Sequence, residues 1–199
     1  MNMSAIFWFV LFIISTVFDM IHAVRMFYAL FLSKIFHSKV EKKHLLELSS
    51  YQKRCMPNDL DIFMHMNNAN YLKHCDIGRI LMWKQNGVLD KVFKMGGGMT
   101  LGASNNRYRK SIILFDHFRI ETKVIYWDDT AFYVEQQFIR TKDNFVCFVS
   151  ILKQTLVGIK PDEVVKIVHP DIEKPPLLPE LEKWMESISF SSERLRKTS

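Results

Sequence analysis

Between residues 70 and 157 the spacing of apolar side chains changes once, from helical to alternating, and this limits the folds open to the chain. The segment NYLKHCDIGRILMWKQ (70–85) has no Pro and a single Gly, Gly78. Tyr71, His74, Cys75, Gly78, Leu81 and Met82 recur at spacings of three and four, which predicts one helical face. Asn67 or Asn68 supplies an N-cap, and Asn86-Gly87 a stop that accepts the left-handed conformation. After Gly96-Gly97-Gly98 the period becomes two. Phe118, Ile120, Thr122, Val124 and Tyr126 alternate with Arg119, Glu121, Lys123, Ile125 and Trp127, the pattern of a half-buried strand. Asp128-Asp129 turns the chain into TAFYVEQQFI, with Phe132, Val134 and Phe138 on one side. Lys142-Asp143-Asn144 turns it again into FVCFVSILKQTLVG. Strands in series with short turns predict an antiparallel meander, joined by an earlier strand over 100–110. The expected class is α+β: a long central helix and a curved antiparallel sheet, preceded by an apolar N-terminal helix.

Residues 1–18 carry no charged side chain, and apolar character continues to about Leu32, broken by Asp19, His22 and Arg25. A signal peptide calls for a basic start and a small-residue cleavage site, and this end has no Lys or Arg ahead of its apolar run. An uncleaved membrane anchor, a cleaved signal and a buried N-terminal helix all remain open. Six Lys and Arg against two Glu follow between Lys34 and Arg54, which is +4 of the chain's net +6. An anchor flanked this way places the following domain in the cytosol. Because the basic excess is local, it points to a membrane surface and leaves little for nucleic acid. Three widely spaced Cys (Cys55, Cys75, Cys147) agree with a reducing compartment. Pro175-Pro176 and Pro179 mark an extended connector, after which Leu181, Trp184, Met185 and Ile188 form an amphipathic stripe. The expected organisation is an anchor or signal segment (1–33), a basic linker (34–50), the α+β domain (51–160), and a Pro-rich connector with an amphipathic helix (161–199).

One stretch concentrates polar chemistry directly ahead of the central helix: Asn58-Asp59-Leu60-Asp61-Ile62-Phe63-Met64-His65-Met66-Asn67-Asn68-Ala69-Asn70-Tyr71. A carboxylate acts as nucleophile or general base, and a helix start offers free N–H groups to an oxyanion. That combination suits attack on a thioester or ester. The same residues also cap a helix and satisfy a turn, and Asp61, His65 and His74 form a loose metal-ligand set; residue types alone leave all three open. No phosphate loop, C-x-x-C, H-E-x-x-H or G-x-S-x-G pattern occurs.

The run from Asp59 to Tyr71 resembles the opening signature of hot-dog fold thioesterases of the 4-hydroxybenzoyl-CoA thioesterase type. It is also similar to the D-x-D-x-x-x-H-x-N-N-x-x-Y run of plant acyl-ACP thioesterases. The resemblance implies a helix wrapped by an antiparallel sheet, a homodimer joined edge to edge, and acyl-CoA bound where two protomers meet, with no cofactor or metal. Asp61 matches the catalytic carboxylate, the backbone N–H near Asn68 the group that polarises the thioester carbonyl, and His65 the His of the plant enzymes. Phe63, Met64 and Met66 then line an acyl channel, with Asn67 and Tyr71 beside it, while Arg107, Arg109 and Lys110 meet the CoA phosphates. Phe63 departs from the plant pattern, which has a functional Asn there. The resulting expectation is a fatty-acyl-CoA thioesterase on the cytosolic face of the endoplasmic reticulum; a secreted protein follows if the leader is cleaved. A non-catalytic acyl-CoA-binding or protein-interaction module is the alternative.

Overall fold

The structure, a computed structural model, describes residues 2–17, 24, 27 and 42–197. Helix α1 (Met3–Val17) carries exposed apolar side chains, among them Phe7, Trp8, Phe9 and Phe12. Among the described residues no helix is long and apolar enough to cross a membrane. Most of the remaining expected anchor and the basic linker up to Glu41 lie outside the described residues.

Strands β1 (Ser49–Arg54), β2 (Gly98–Tyr108), β3 (His117–Trp127), β4 (Ala131–Arg140) and β5 (Phe145–Val157) form one antiparallel sheet. Their spatial order is β1-β3-β4-β5-β2, so β1 and β2 are its edges. The expected meander is β3-β4-β5, and the expected early strand joins β5 rather than its neighbour in sequence. Edge strand β1 has the polar sequence SSYQKR and begins two residues ahead of the expected domain start; Leu45, earlier still, is fully buried in the core.

Helix α2 (Asn68–Gln85) starts where expected: the Asn67 side chain accepts from Ala69 N–H at 2.9 Å. It ends at Asn86, and Gly87 at φ 77° turns the chain into the short α3 (Val88–Lys94). The buried residues of α2 include Tyr71, His74, Cys75, Gly78 and Met82, and also Ile77, Arg79 and Trp83, a wider face than the stripe predicted. Its N-terminal half packs with Phe118, Ile120, Phe138, Cys147 and Phe148, and its C-terminal half with Val124, Phe132, Val134 and Leu152. All these sheet residues share one face, so the helix lies across it.

Gly78 is required by that approach. A Cβ there would meet Gln136 Nε2 at 2.9 Å and Thr122 Oγ1 at 3.1 Å. These atoms belong to a buried polar contact: Gln136 Nε2 donates to the Cys75 carbonyl (3.1 Å) and to Thr122 Oγ1 (2.9 Å), while Arg79 donates to Gln136 Oε1 (3.3 Å). Burying an amide is tolerable because its hydrogen-bonding capacity is met.

The alternation expected in β3 holds through Val124 and then reverses. The pairing register with β4 shifts between Val124 and Tyr126, so Ile125 and Trp127 are buried while Tyr126 is only half-buried. A bulge adds one residue to the strand and flips every later side chain. Trp127 thereby reaches the core and donates from Nε1 to Asp162 at 2.6 Å, at the start of α4 (Pro161–Val168). On the opposite face Ile125, Tyr133 and Ile151 are covered by Leu177, Leu178 and by Leu181, Trp184 and Met185 of α5 (Pro179–Arg196). The predicted amphipathic stripe is thus a packing surface, with Pro179 in the first turn as read from the sequence.

Candidate active site

The segment ahead of α2 folds as a tight loop pinned at its base. Pro57–Asp59 forms a single 3-10 turn. Asp59 is fully buried: its Oδ2 accepts from Met56 N–H at 2.9 Å, and its Oδ1 lies 3.0 Å from Nε2 of buried His74 on α2. The Asp59 carbonyl accepts from Asn67 N–H (2.8 Å) and from the Asn70 amide (3.0 Å). Asp59 therefore fastens both ends of the loop to the helix start. His74, one of three loosely grouped metal-ligand candidates in sequence, turns away from Asp61 and His65 to this partner. Among the described residues no group of three or more His, Cys, Asp or Glu has the arrangement to hold a metal ion.

Asp61 heads the loop and is half-buried. Its Oδ1 accepts from Phe63 N–H at 2.9 Å, and its Oδ2 is 3.3 Å from His65 Nδ1. Asp61 N–H donates to the His65 carbonyl (3.0 Å) and Met64 N–H to the Asp61 carbonyl (3.1 Å), closing the turn with Met64 at φ 60°. The turn drives its apolar residues outward: Ile62 is 89% exposed, Phe63 72% and Met64 61%. Phe63 stacks on the His65 ring at 5.9 Å. The carboxylate is thus a turn cap and a histidine partner at once, and its side chain stays partly exposed.

Behind the loop runs an open groove of about 200 Å³, lined by His65, Met66, Asn68, Tyr71, Tyr108, Arg109, Lys110 and Ser111. At its floor the first N–H groups of α2 are partly used: Ala69 donates to the Asn67 side chain and Asn70 to the Asn67 carbonyl. That of Asn68 has no protein acceptor among the described residues, so it is available to an oxyanion. Tyr108 Oη donates to the Asn68 carbonyl at 3.2 Å, which ties strand β2 to the helix start. Tyr71 is buried against Tyr108, Phe138 and Phe148; its hydroxyl accepts from Ile112 N–H at 3.3 Å, and burial pushes its pKa up to about 12. Arg109 donates to the Val146 carbonyl at 3.1 Å and lies over the Phe145 ring.

The residues expected from the sequence divide into three groups. His65, Met66, Asn68, Tyr71 and Arg109 come together in the groove, and Asn67 caps its helix. Asp61 lies on the adjoining loop, hydrogen-bonded to the groove's His65. Phe63 and Met64 sit on the exposed loop tip, outside the groove, and Arg107 is exposed on β2 opposite Val149. The sequence does not single out Tyr108 or Ser111, nor does it pair Asp59 with His74. The first half of the D-x-D pattern and a His on the buried helical face were the signals available for that pair.

A helix start facing a carboxylate loop on a β1-β3-β4-β5-β2 sheet defines a class of protein. Residues 55–185 match the family model of the thioesterase-like superfamily, and the chain belongs to that superfamily. Among curated relatives it is 35% identical over 189 residues to protein THEM6 of Drosophila melanogaster, covering 94% of this chain and 96% of that one. It is 37% identical over 158 residues to protein THEM6 of Xenopus laevis, covering 79% and 76%. Among solved structures, a gentisyl-coenzyme A thioesterase superposes with a TM-score of 0.54 at 18% identity, over 62% of this chain and all of that one. A Staphylococcus aureus protein solved in complex with CoA gives 0.54 at 12% identity, over 69% and 92%. These likenesses establish the hot-dog fold.

Proposed function

We propose that the chain is an acyl-CoA thioesterase that hydrolyses fatty-acyl thioesters at a membrane surface. The observation that carries this reading is the Asp61–His65 pair held on a hydrogen-bonded loop beside a helix start whose Asn68 N–H is unclaimed. Asp61 either activates water for attack on the thioester carbonyl or attacks it directly, and the Asn68 N–H stabilises the oxyanion that forms. His65 orients the carboxylate. Arg109 and Lys110 border the groove as cations for the CoA phosphates. The solved relative that holds CoA supports this ligand class.

The groove is open and small for an acyl-CoA, and β2, which contributes Tyr108 to it, is a sheet edge. A second copy paired along β2 extends the sheet and closes that side, giving a homodimer with acyl-CoA at the protomer boundary. Exposed Phe63 and Met64 then have a route to the acyl chain. The apolar N-terminal segment and the basic residues after it hold the domain at the endoplasmic reticulum on its cytosolic side.

One observation favours a second reading, an acyl-CoA-binding or interaction module without turnover. Phe63 occupies the position of a functional Asn in the plant pattern and is turned out to solvent. Incubation of the full chain with acyl-CoAs of increasing chain length, following CoA thiol release and binding in parallel, separates the two. The thioesterase reading expects thiol release with a chain-length optimum; saturable binding without release overturns it in favour of the module.

A further inference from the structure

The geometry points to a second ligand site at the far end of α2: a basic pocket for a phosphate monoester on a small polar carrier. It lies about 24 Å along the helix from the groove, by the rise per residue between Asn68 and Lys84. This inference does not depend on the thioesterase reading.

The cavity is about 420 Å³, within the range of small-ligand sites, and is lined by Lys42, Lys43, Lys84, Gln85, Asn86, Gly87, Asp90, Lys94, Val168 and His169. Three segments converge to make it. The incoming chain is hooked to the helix end by Lys43 N–H donating to the Gln85 carbonyl at 3.2 Å. The corner between α2 and α3 is set by Gly87. The end of α4 is tied in by His169 Nε2, which donates to the Asn86 carbonyl at 3.0 Å. His169 also packs edge-on against His44, with ring centroids 4.8 Å apart. Burial, assisted by the nearby His44, lowers the His169 pKa against the opposing pull of the Asn86 carbonyl, so the ring is neutral near pH 7.

Four lysines line it with one carboxylate, Asp90, and a second, Glu47, stands beside Lys43. Lys84 is paired with Asp90 at 2.5 Å, and Lys43 donates to the Leu48 carbonyl at 2.7 Å with Glu47 3.7 Å away. Lys42 and Lys94 have no carboxylate partner among the described residues. Two helix C-termini, those of α2 and α4, also end at the pocket, and each contributes roughly −0.5 of an elementary charge. Some of the lysine charge therefore serves the helix ends. After Asp90, Glu47 and both helix ends are counted, about +1 remains in a concave site, carried by Lys42 and Lys94. Lysine ammonium groups bind phosphate as point charges and need no planar partner geometry, which suits a multiply charged phosphate better than a single carboxylate. The cavity has room for a sugar- or inositol-sized carrier, and Gln85 and the neutral His169 ring offer polar contacts to it. A free phosphorylated metabolite and a phosphorylated lipid headgroup share this chemistry.

The test uses the full chain in neutral detergent micelles, titrated with inositol 1,4,5-trisphosphate, and then phosphatidylcholine vesicles containing either phosphatidylinositol 4-phosphate or phosphatidylserine. The readouts are calorimetry and the NMR resonances of the His169 ring. Saturable binding of the soluble probe that shifts His169, weakens about tenfold or more in Lys42→Ala/Lys94→Ala and tightens in Asp90→Asn supports the pocket. Both surface lysines lack structural partners, so the double variant keeps its fold, and the charge-gaining variant guards against a trivial loss. Preference for the phosphatidylinositol 4-phosphate vesicles over the soluble probe identifies a lipid source, and the reverse a free metabolite. Equal binding to both vesicle types with no response to the soluble probe overturns the pocket, as does binding unchanged by all three substitutions.

Discussion

Asp59 and Asp61 are two residues apart and have opposite surroundings. Asp59 is sealed in the protein and holds the loop to α2 through its carboxylate and its carbonyl; Asp61 keeps its side chain partly exposed. Residue types made both visible as acids ahead of a helix, and the family resemblance singled out Asp61; the anchoring role of Asp59 was hidden, because its burial depends on where His74 lies in the packed core. Asp128 shows a third role. Burial raises its pKa, but hydrogen bonds from the N–H groups of Thr130 and Ala131 and the hydroxyls of Tyr133 and Thr130 outweigh this and hold it below the usual carboxylate value. The folded pKa is depressed, so the stabilisation is fully present above the unfolded value of about 3.9 and is lost as pH falls through the folded one. Asp128→Asn therefore destabilises by about 1 kcal/mol at pH 7, the group being partly solvated. Thermal unfolding of wild type and variant at pH 7 and at pH 3 checks this: the gap in Tm narrows at the lower pH.

At the scale of elements, α2 and the three-strand meander were readable because their periodicity spans many residues and their turns carry Asn-Gly or Asp-rich signals. Strand β1 was not, since SSYQKR is a polar edge segment held by its pairing with β3 rather than by an apolar face. The bulge at Ile125 was hidden for a related reason: the side chains around it are apolar on both faces, so alternation cannot register an added residue. The groove was half legible, its helix start and His65 from local sequence, but Tyr108 and Ser111 only once β2 is brought to the helix. Gly78 joins the two levels, being the one glycine of α2 and the point of contact with Gln136 and Thr122. Gly78→Ala gains about 1 kcal/mol of helix propensity but forces the buried amide network apart, at a cost of about 1–3 kcal/mol. The expected outcome is a net loss in urea denaturation, with the midpoint lowered and the slope unchanged.

For the whole molecule, the described body is a hot-dog domain with α5 packed on the outer face of the sheet, and most of what precedes residue 42 is known from sequence alone. An anchor with a cytosolic domain predicts that protease added to intact microsomes digests residues 42–197 without detergent; protection until detergent is added would indicate a lumenal or secreted domain. The central claim concerns Asp61. Its direct test is CoA release from a long-chain acyl-CoA by wild type and Asp61→Asn, with CoA binding measured on both. The account predicts a fall in kcat of about 100-fold or more in the variant, as for loss of a positioned acid–base group, with CoA affinity retained. Equal rates of hydrolysis in the two proteins would contradict it.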